Sequence, residues 1–138
     1  MAHERSLPSS LPSPTPPPPA DWRAGTFAHH RLDAFAVARD ALAAGHQIAR
    51  RIPRGYAKLT DQLTRALLGA YLQVAEAAAR TGADRAARFR AAGAEASEAA
   101  AALEAVVLLG LGRAADVATV VGLLARLCAM CTRLAARP

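Results

Sequence analysis

Two cysteines three residues apart are the strongest candidates for chemistry in this sequence. Thiolates in the arrangement Cys128-x-x-Cys131 can hold zinc or exchange disulfides. A structural zinc site needs four ligands, and the sequence has no second cysteine pair. Cys131 also falls on an apolar helical stripe, and a redox motif normally opens a helix that follows a strand. We therefore predict that both thiols pack as small apolar side chains and that no metal is bound.

The carboxylates are the second candidates, because helical bundles can hold a di-iron site. Such a site requires inward glutamates and Glu-x-x-His pairs on two helices, and the sequence has no such pair. Glu76, Glu98 and Glu104 are therefore expected at the surface or at an interface. Glu76 is spaced to form a helical ion pair with Arg80. Since no Ser/His/Asp arrangement can be assembled either, we predict a protein that is not an enzyme and has no cofactor.

Alanine and the spacing of apolar residues indicate the elements that must position these side chains. Alanine is the commonest residue and aromatic residues make up only 4% of the chain, which favours closely packed helices over strands. From Phe27 onward, apolar residues recur every three or four positions. Breaks at Pro53, Thr81-Gly82 and Gly110 divide this region into four segments. The predicted helices cover residues 32–52, 57–80, 84–109 and 114–135.

Four helices joined by short loops predict an all-α fold, an antiparallel up-down-up-down bundle over residues 27–138. The predicted inward stripe of the third helix is Phe89, Ala92, Ala96, Ala100, Leu103 and Val107. The second helix has an additional apolar stripe on another face, which predicts that the chain is a homo-oligomer. The residues predicted to form the oligomer interface are Leu68, Tyr71, Leu72 and Ala75.

Residues 1–26 are rich in proline and serine and are predicted to form a disordered tail. The prolines exclude a signal peptide, and the uncharged apolar stretches fall short of the roughly 20 residues that span a membrane. Two cysteines so close together cannot staple a fold. We therefore predict a cytoplasmic protein with no membrane partner.

Positive charge is concentrated at one end of the predicted bundle. The chain has 17 basic and 11 acidic residues, a net charge of +6, and such a balance attracts nucleic acid, acidic proteins or anionic membranes. The up-down-up-down order gathers the beginnings of helices 1 and 3 and the ends of helices 2 and 4 at this end. The arginines predicted there to bind nucleic acid are Arg31, Arg80, Arg85, Arg88, Arg90 and Arg133. A solvated charge cluster is the alternative.

Motifs in all four predicted helices carry a family resemblance. The most specific lie in helix 2, where residues 59–66 match the pattern Leu-Thr-x-Gln-x-x-Arg-Ala and residues 73–77 correspond to Asn-Ile-Ala-Glu-Gly. Helix 1 contains Leu32, Phe35 and Ala38 in a Leu-x-x-Trp-x-x-Ala pattern. Residues 94–98 correspond to Gly-Ser-Ala-x-Glu in helix 3. The end of helix 4, residues 123–134, is similar to Leu-Leu-x-Arg-Ile-x-x-Met-Leu-x-x-Leu.

In these motifs the chain resembles the four-helix-bundle family encoded in intervening sequences of bacterial 23S rRNA genes. Its superfamily includes the accessory variability determinant proteins of diversity-generating retroelements. The resemblance covers about 27–135 and implies a bundle that assembles into a ring-like homopentamer. It also implies that the chain is the basic partner of a reverse transcriptase and its RNA, as the retroelement relatives are.

We therefore expect a non-catalytic homo-oligomeric scaffold, a pentamer, that binds RNA, DNA or a nucleic-acid-handling protein such as a reverse transcriptase. The alternative is a protein-binding adaptor that uses the Pro-rich tail and the exposed helix faces.

Overall fold

Four long helices account for most of the chain. The structure, a computed structural model, describes residues 25–137, so the tail predicted over residues 1–26 lies, apart from its last two residues, outside the described residues. Short 3-10 helices, Ala28–Arg31 and Arg54–Tyr56, precede the first and second long helices. No strand occurs among residues 25–137, and the predicted all-α class is confirmed. The long helices are α1 (Asp33–Ala49), α2 (Ala57–Ala78), α3 (Gly82–Leu108) and α4 (Ala114–Ala135).

The helix ends lie within a few residues of their predicted positions. After α1, the N–H groups of Arg51 and Ile52 bond to carbonyls three residues back, and Pro53 then stops the helix because it has no N–H. Thr81-Gly82 was predicted to close the second helix, and this is wrong. The helix α2 already ends at Ala78, and Thr81 is the extended residue from which α3 begins.

The core lies where the four helices meet: α1 and α3 each pack against both α2 and α4. The predicted stripe of the third helix is wrong at two positions, because Ala99 and Val106 are buried where Ala100 and Val107 were expected. Phe89, Ala92, Ala96, Ala99, Leu103 and Val106 keep the alternation of three and four residues that holds one face of a long helix inward. Val107 is consequently exposed.

The turn between α3 and α4 is fixed by a glycine. Gly110 has a φ of +70°, in the left-handed region that other residues rarely adopt. Its N–H donates to the carbonyl of Val107 at 3.0 Å, and the N–H of Leu111 donates to the carbonyl of Val106 at 2.9 Å. These two bonds form a Schellman motif, which ends α3 and holds the next residues in a defined turn.

Candidate nucleic-acid interface

The end of α2 and the beginning of α3 are joined by a chain of alternating charges. Arg88 Nη1 lies 2.8 Å from Glu76 Oε2, and Arg88 Nε lies 3.6 Å from Asp84 Oδ1. Asp84 Oδ2 is in turn 3.5 Å from Arg80 Nη1. The predicted Glu76–Arg80 pair is therefore wrong. Because α2 ends at Ala78, Arg80 is no longer on the same helical face as Glu76.

Arg85 is partly buried and serves the fold. Its guanidinium carbon lies 4.9 Å from the ring centroid of Phe89, and its Nη1 donates to the carbonyl oxygen of Ala77 at 3.4 Å. This carbonyl belongs to the last turn of α2, where helical carbonyls lack partners within the helix. Arg85 thus ties the first turn of α3 to the last turn of α2 and has little freedom to meet a ligand.

The beginning of α1 and the end of α4 form a cationic cavity. Arg31, Arg133 and Arg137 line a cavity of about 280 Å³ together with Asp33 and Met130. Arg133 and Arg137 are exposed, and neither forms an ion pair with any residue of the described part of the chain. Arg31 donates to the carbonyl oxygen of Gly25 at 3.5 Å. Three guanidinium groups thus meet one carboxylate here, and the cavity carries excess positive charge.

Arg90 lies where the beginning of α3 meets the end of α4. It is exposed and lines a cavity of about 450 Å³ between the beginning of α3 and the end of α4, with Phe89, Ser97 and Ala135. The six predicted arginines, together with Arg137, therefore lie around one end of the molecule. We call this end the basic pole: Arg31, Arg80, Arg85, Arg88, Arg90, Arg133 and Arg137. Within it, Arg80, Arg85 and Arg88 are engaged with the chain itself, whereas Arg90, Arg133 and Arg137 have no acidic partner among the described residues.

The two cysteines lie beside this corner. Cys131 is 1% exposed on the core stripe of α4, and burial together with the neighbouring Cys128 raises the pKa of its thiol to about 11. Cys128 is partly buried, and its Sγ donates to the carbonyl oxygen of Gly93 at 3.4 Å. Within residues 25–137, no group of three His, Cys, Asp or Glu residues is placed to hold a metal ion.

The predicted oligomer residues divide into two pairs. Tyr71 and Ala75 are half-buried and pack against the core, with the Tyr71 ring centroid 4.8 Å from that of Phe35. Leu68 and Leu72 are 43% and 50% exposed and lie one helical turn apart on the outer face of α2. Sequence reasoning therefore identified two large apolar side chains, Leu68 and Leu72, that are exposed to solvent in the single chain.

The opposite end of the molecule holds a second group of cations that sequence reasoning missed. Arg50, Arg54, Lys58 and Arg113 are exposed, and none forms an ion pair within the described residues. The signal was present in the sequence, since three of the four fall between residues 50 and 58, around the break at Pro53. These four cations contribute to the net positive charge, which the sequence analysis had placed mainly at the basic pole.

One helix, Ala114–Ala136, is long and apolar enough to cross a membrane by length and composition. This is weak support for a span, because the core helix of a soluble bundle passes the same test. Its inner residues, including Val117, Leu124 and Leu127, are buried against the other helices.

No protein-family profile and no curated protein matches this chain.

Proposed function

We propose that this chain is a non-catalytic, homo-oligomeric helical bundle that binds nucleic acid, or a nucleic-acid-handling partner such as a reverse transcriptase, through its basic pole. The proposed helix order is up-down-up-down, and the proposed assembly is a pentameric ring in the cytoplasm. The motif resemblance to the 23S rRNA intervening-sequence family supports the bundle, the ring and the class of partner. The proposed domain is 27–138, with residues 1–26 as a tail.

The observation that carries the proposal is the cavity lined by Arg31, Arg133 and Arg137. Guanidinium groups present several N–H donors in a planar fork, which matches the oxygens of a phosphate. Arg133 and Arg137 also lie at the end of α4, where a carbonyl-rich helix terminus favours cations. Because these three arginines form no ion pair among residues 25–137, they are available to bind a phosphate backbone.

Repetition of the basic pole supplies the affinity that one chain lacks. Phosphate contacts alone give a single domain a non-specific Kd of roughly 10⁻⁴ to 10⁻⁶ M. In a ring, one strand can contact several basic poles at once, and each additional contact becomes intramolecular. The exposed leucines of α2, Leu68 and Leu72, are the apolar surface that a second copy would cover in such a ring.

Binding to fluorescein-labelled single-stranded RNA, duplex RNA and duplex DNA, measured by anisotropy at low and high salt, tests the proposal. We expect binding with little sequence preference and an affinity that falls steeply as salt rises. Absence of binding to all three probes at low salt would contradict a nucleic-acid function.

The adaptor function is the second candidate, and the exposed pair Leu68 and Leu72 favours it. A protein partner would cover these leucines instead of a second copy of the chain. The Pro-rich tail that this candidate also invokes lies outside the described residues. A monomeric chain that binds no nucleic acid at low salt would favour the adaptor over the scaffold.

A further inference from the structure

The turn between α3 and α4 presents large apolar side chains to solvent. Leu108 is 84% exposed and Leu109 is 52% exposed, and Val107 beside them is also exposed. The Schellman bonds at Gly110 hold this turn in one conformation, so the leucines are displayed by rigid backbone. We call Val107, Leu108 and Leu109 the apolar tip. Leu108 therefore lies outside the core that the described residues form.

Four unpaired cations lie at the same end of the molecule as the apolar tip. Arg113 is the residue that immediately precedes α4, directly after the turn. Arg51 Nη1 lies 3.9 Å from Asp116 Oδ2, and this contact brings the end of α1 to the beginning of α4. Arg50 and Arg54 lie close to Arg51 in the sequence, just after the end of α1, so they also lie on this side of the molecule.

The register of α2 against α3 places the last cation. Glu76 pairs with Arg88, and a Cβ on Gly69 would stand 2.8 Å from the carboxyl carbon of Glu95. From Glu76 to Gly69 the chain moves back seven residues along α2, and from Arg88 to Glu95 it moves forward seven residues along α3. The two helices are therefore antiparallel and keep the same register between these two contacts. Continued to the beginning of α2, this register sets Lys58 level with Val106.

The same register sets Tyr56 level with Leu108, and Tyr56 is exposed. The carboxylates Asp61 and Asp116 of this end already pair with Arg65 and Arg51, and Glu104 lies one turn behind the apolar tip. The apolar tip thus shares its end of the molecule with cations that form no ion pair among residues 25–137. We call these cations the collar: Arg50, Arg54, Lys58 and Arg113.

We propose that this end of the molecule docks on an anionic membrane surface, with the apolar tip at the boundary between headgroups and acyl chains and the collar on the lipid phosphates. An anionic bilayer supplies both an apolar layer for protruding leucines and negative charge for the surrounding cations. A nucleic-acid duplex supplies the charge but no apolar layer at its outer surface. Tyr56 fits the same surface, because tyrosine favours the membrane–water interface.

Docking in this manner is peripheral, so it differs from insertion of α4 as a membrane span, and it replaces the expectation from the sequence that the protein has no membrane partner. It leaves the basic pole at the far end of the molecule free. The inference therefore stands independently of the nucleic-acid proposal, and either can fail alone.

Co-sedimentation of the full chain with vesicles tests the membrane inference. We expect binding to vesicles of phosphatidylcholine with phosphatidylserine and little binding to phosphatidylcholine alone. Changing both Leu108 and Leu109 to Ser should weaken binding about tenfold or more, because the apolar contribution is lost. Phe27→Ser is the matched control, since Phe27 is 61% exposed and precedes Arg31 of the basic pole. Equal binding of the leucine variant and the wild type would overturn the inference.

The collar is tested in the same assay. Changing Lys58 and Arg113 to Gln should weaken binding to anionic vesicles by about thirtyfold, since each cation near an anionic surface strengthens binding about fivefold. Changing Arg126 and Arg133 together to Gln is the control, because it removes the same charge from exposed positions away from the collar. Unchanged binding of the collar variant would contradict the role of charge.

A fluorescent reporter tests the insertion directly and does not depend on loss of binding. Trp22 is the single tryptophan, so Leu108→Trp in a Trp22→Phe background places the only indole at the apolar tip. We expect a blue shift of its emission with anionic vesicles and quenching by brominated acyl chains. Emission that stays at its aqueous wavelength, or binding of this end to RNA without binding to vesicles, would overturn the inference.

Discussion

Arg85 and Arg133 lie at the same end of the molecule and have different roles there. Arg85 covers the ring of Phe89 and donates to a carbonyl at the end of α2, so its charge is used to hold two helices together. Arg133 is exposed and has no acidic partner in the described structure. Only guanidinium groups of the second kind can exchange water for phosphate oxygens without first losing an internal contact.

Cys131 makes stability depend on pH in the alkaline range. Its thiol titrates near its ordinary pKa of 9.0 in the unfolded chain and near about 11 in the folded chain. Between these values the unfolded state loses a proton that the folded state keeps, so the free energy of unfolding falls as pH rises from about 9 to about 11. The slope contributed by this one group is at most about 1.4 kcal/mol per pH unit.

Urea unfolding at several pH values measures this slope. Cys131→Ala should cost stability at neutral pH, because a packed side chain is shortened, and should show a shallower decline above pH 9. The other groups that titrate in the alkaline range are present in both proteins, so the difference between the two slopes reports Cys131. Parallel declines in wild type and variant would contradict the assignment.

Close contact between α1 and α2 depends on a residue without a side chain. A Cβ on Gly45 would stand 2.6 Å from Leu67 Cδ1 and 3.0 Å from Cδ2. Leu67 is buried in the core, so either its side chain must change rotamer among packed neighbours or the two helices must move apart. The same is not true of Gly122 on the exposed face of α4, where an added Cβ meets no atom within 4 Å.

We expect Gly45→Ala to destabilise the fold by about 1 to 3 kcal/mol, the usual cost of overpacking a core. Gly122→Ala should stabilise it by up to about 1 kcal/mol, because alanine is the better helix former and nothing obstructs it. Urea midpoints of the two variants and the wild type give both signs. A stabilising effect at Gly45 would show that the contact with Leu67 relaxes freely.

The helices could be predicted from the sequence because their ends carry local signals, such as Pro53 and Gly110. The inward face of α3 was harder, because alanines surround that helix and the pattern does not distinguish Ala99 from Ala100. Arginine pairs four residues apart on the sequence, such as Arg65 with Asp61, could be predicted from helical spacing, whereas pairs between helices could not. Arg88 pairs with Glu76 twelve residues away on another helix, and such a pair depends on how the helices cross.

Leu68 and Leu72 determine the oligomeric state of the proposed scaffold. We expect light scattering to give a multiple of the 14.3 kDa chain at micromolar concentration. Changing either leucine to Asp should dissociate the assembly, since an unpaired charge is costly to bury at an interface. Helical circular dichroism should persist, because both side chains lie outside the core. A wild-type mass of one chain would contradict the oligomer.

The salt dependence of RNA binding tests the central claim, that the unpaired arginines of the basic pole contact phosphates. Each phosphate contact to a single strand contributes about 0.7 to the slope of log K against log salt, so changing Arg31, Arg133 and Arg137 together to Gln should lower the slope by about 2 per chain engaged. The same change at Arg54, Arg113 and Arg126, away from the basic pole, removes equal charge and should leave the slope nearly unchanged. Equal slopes for wild type and both variants, or no binding by the wild type at low salt, would contradict the account.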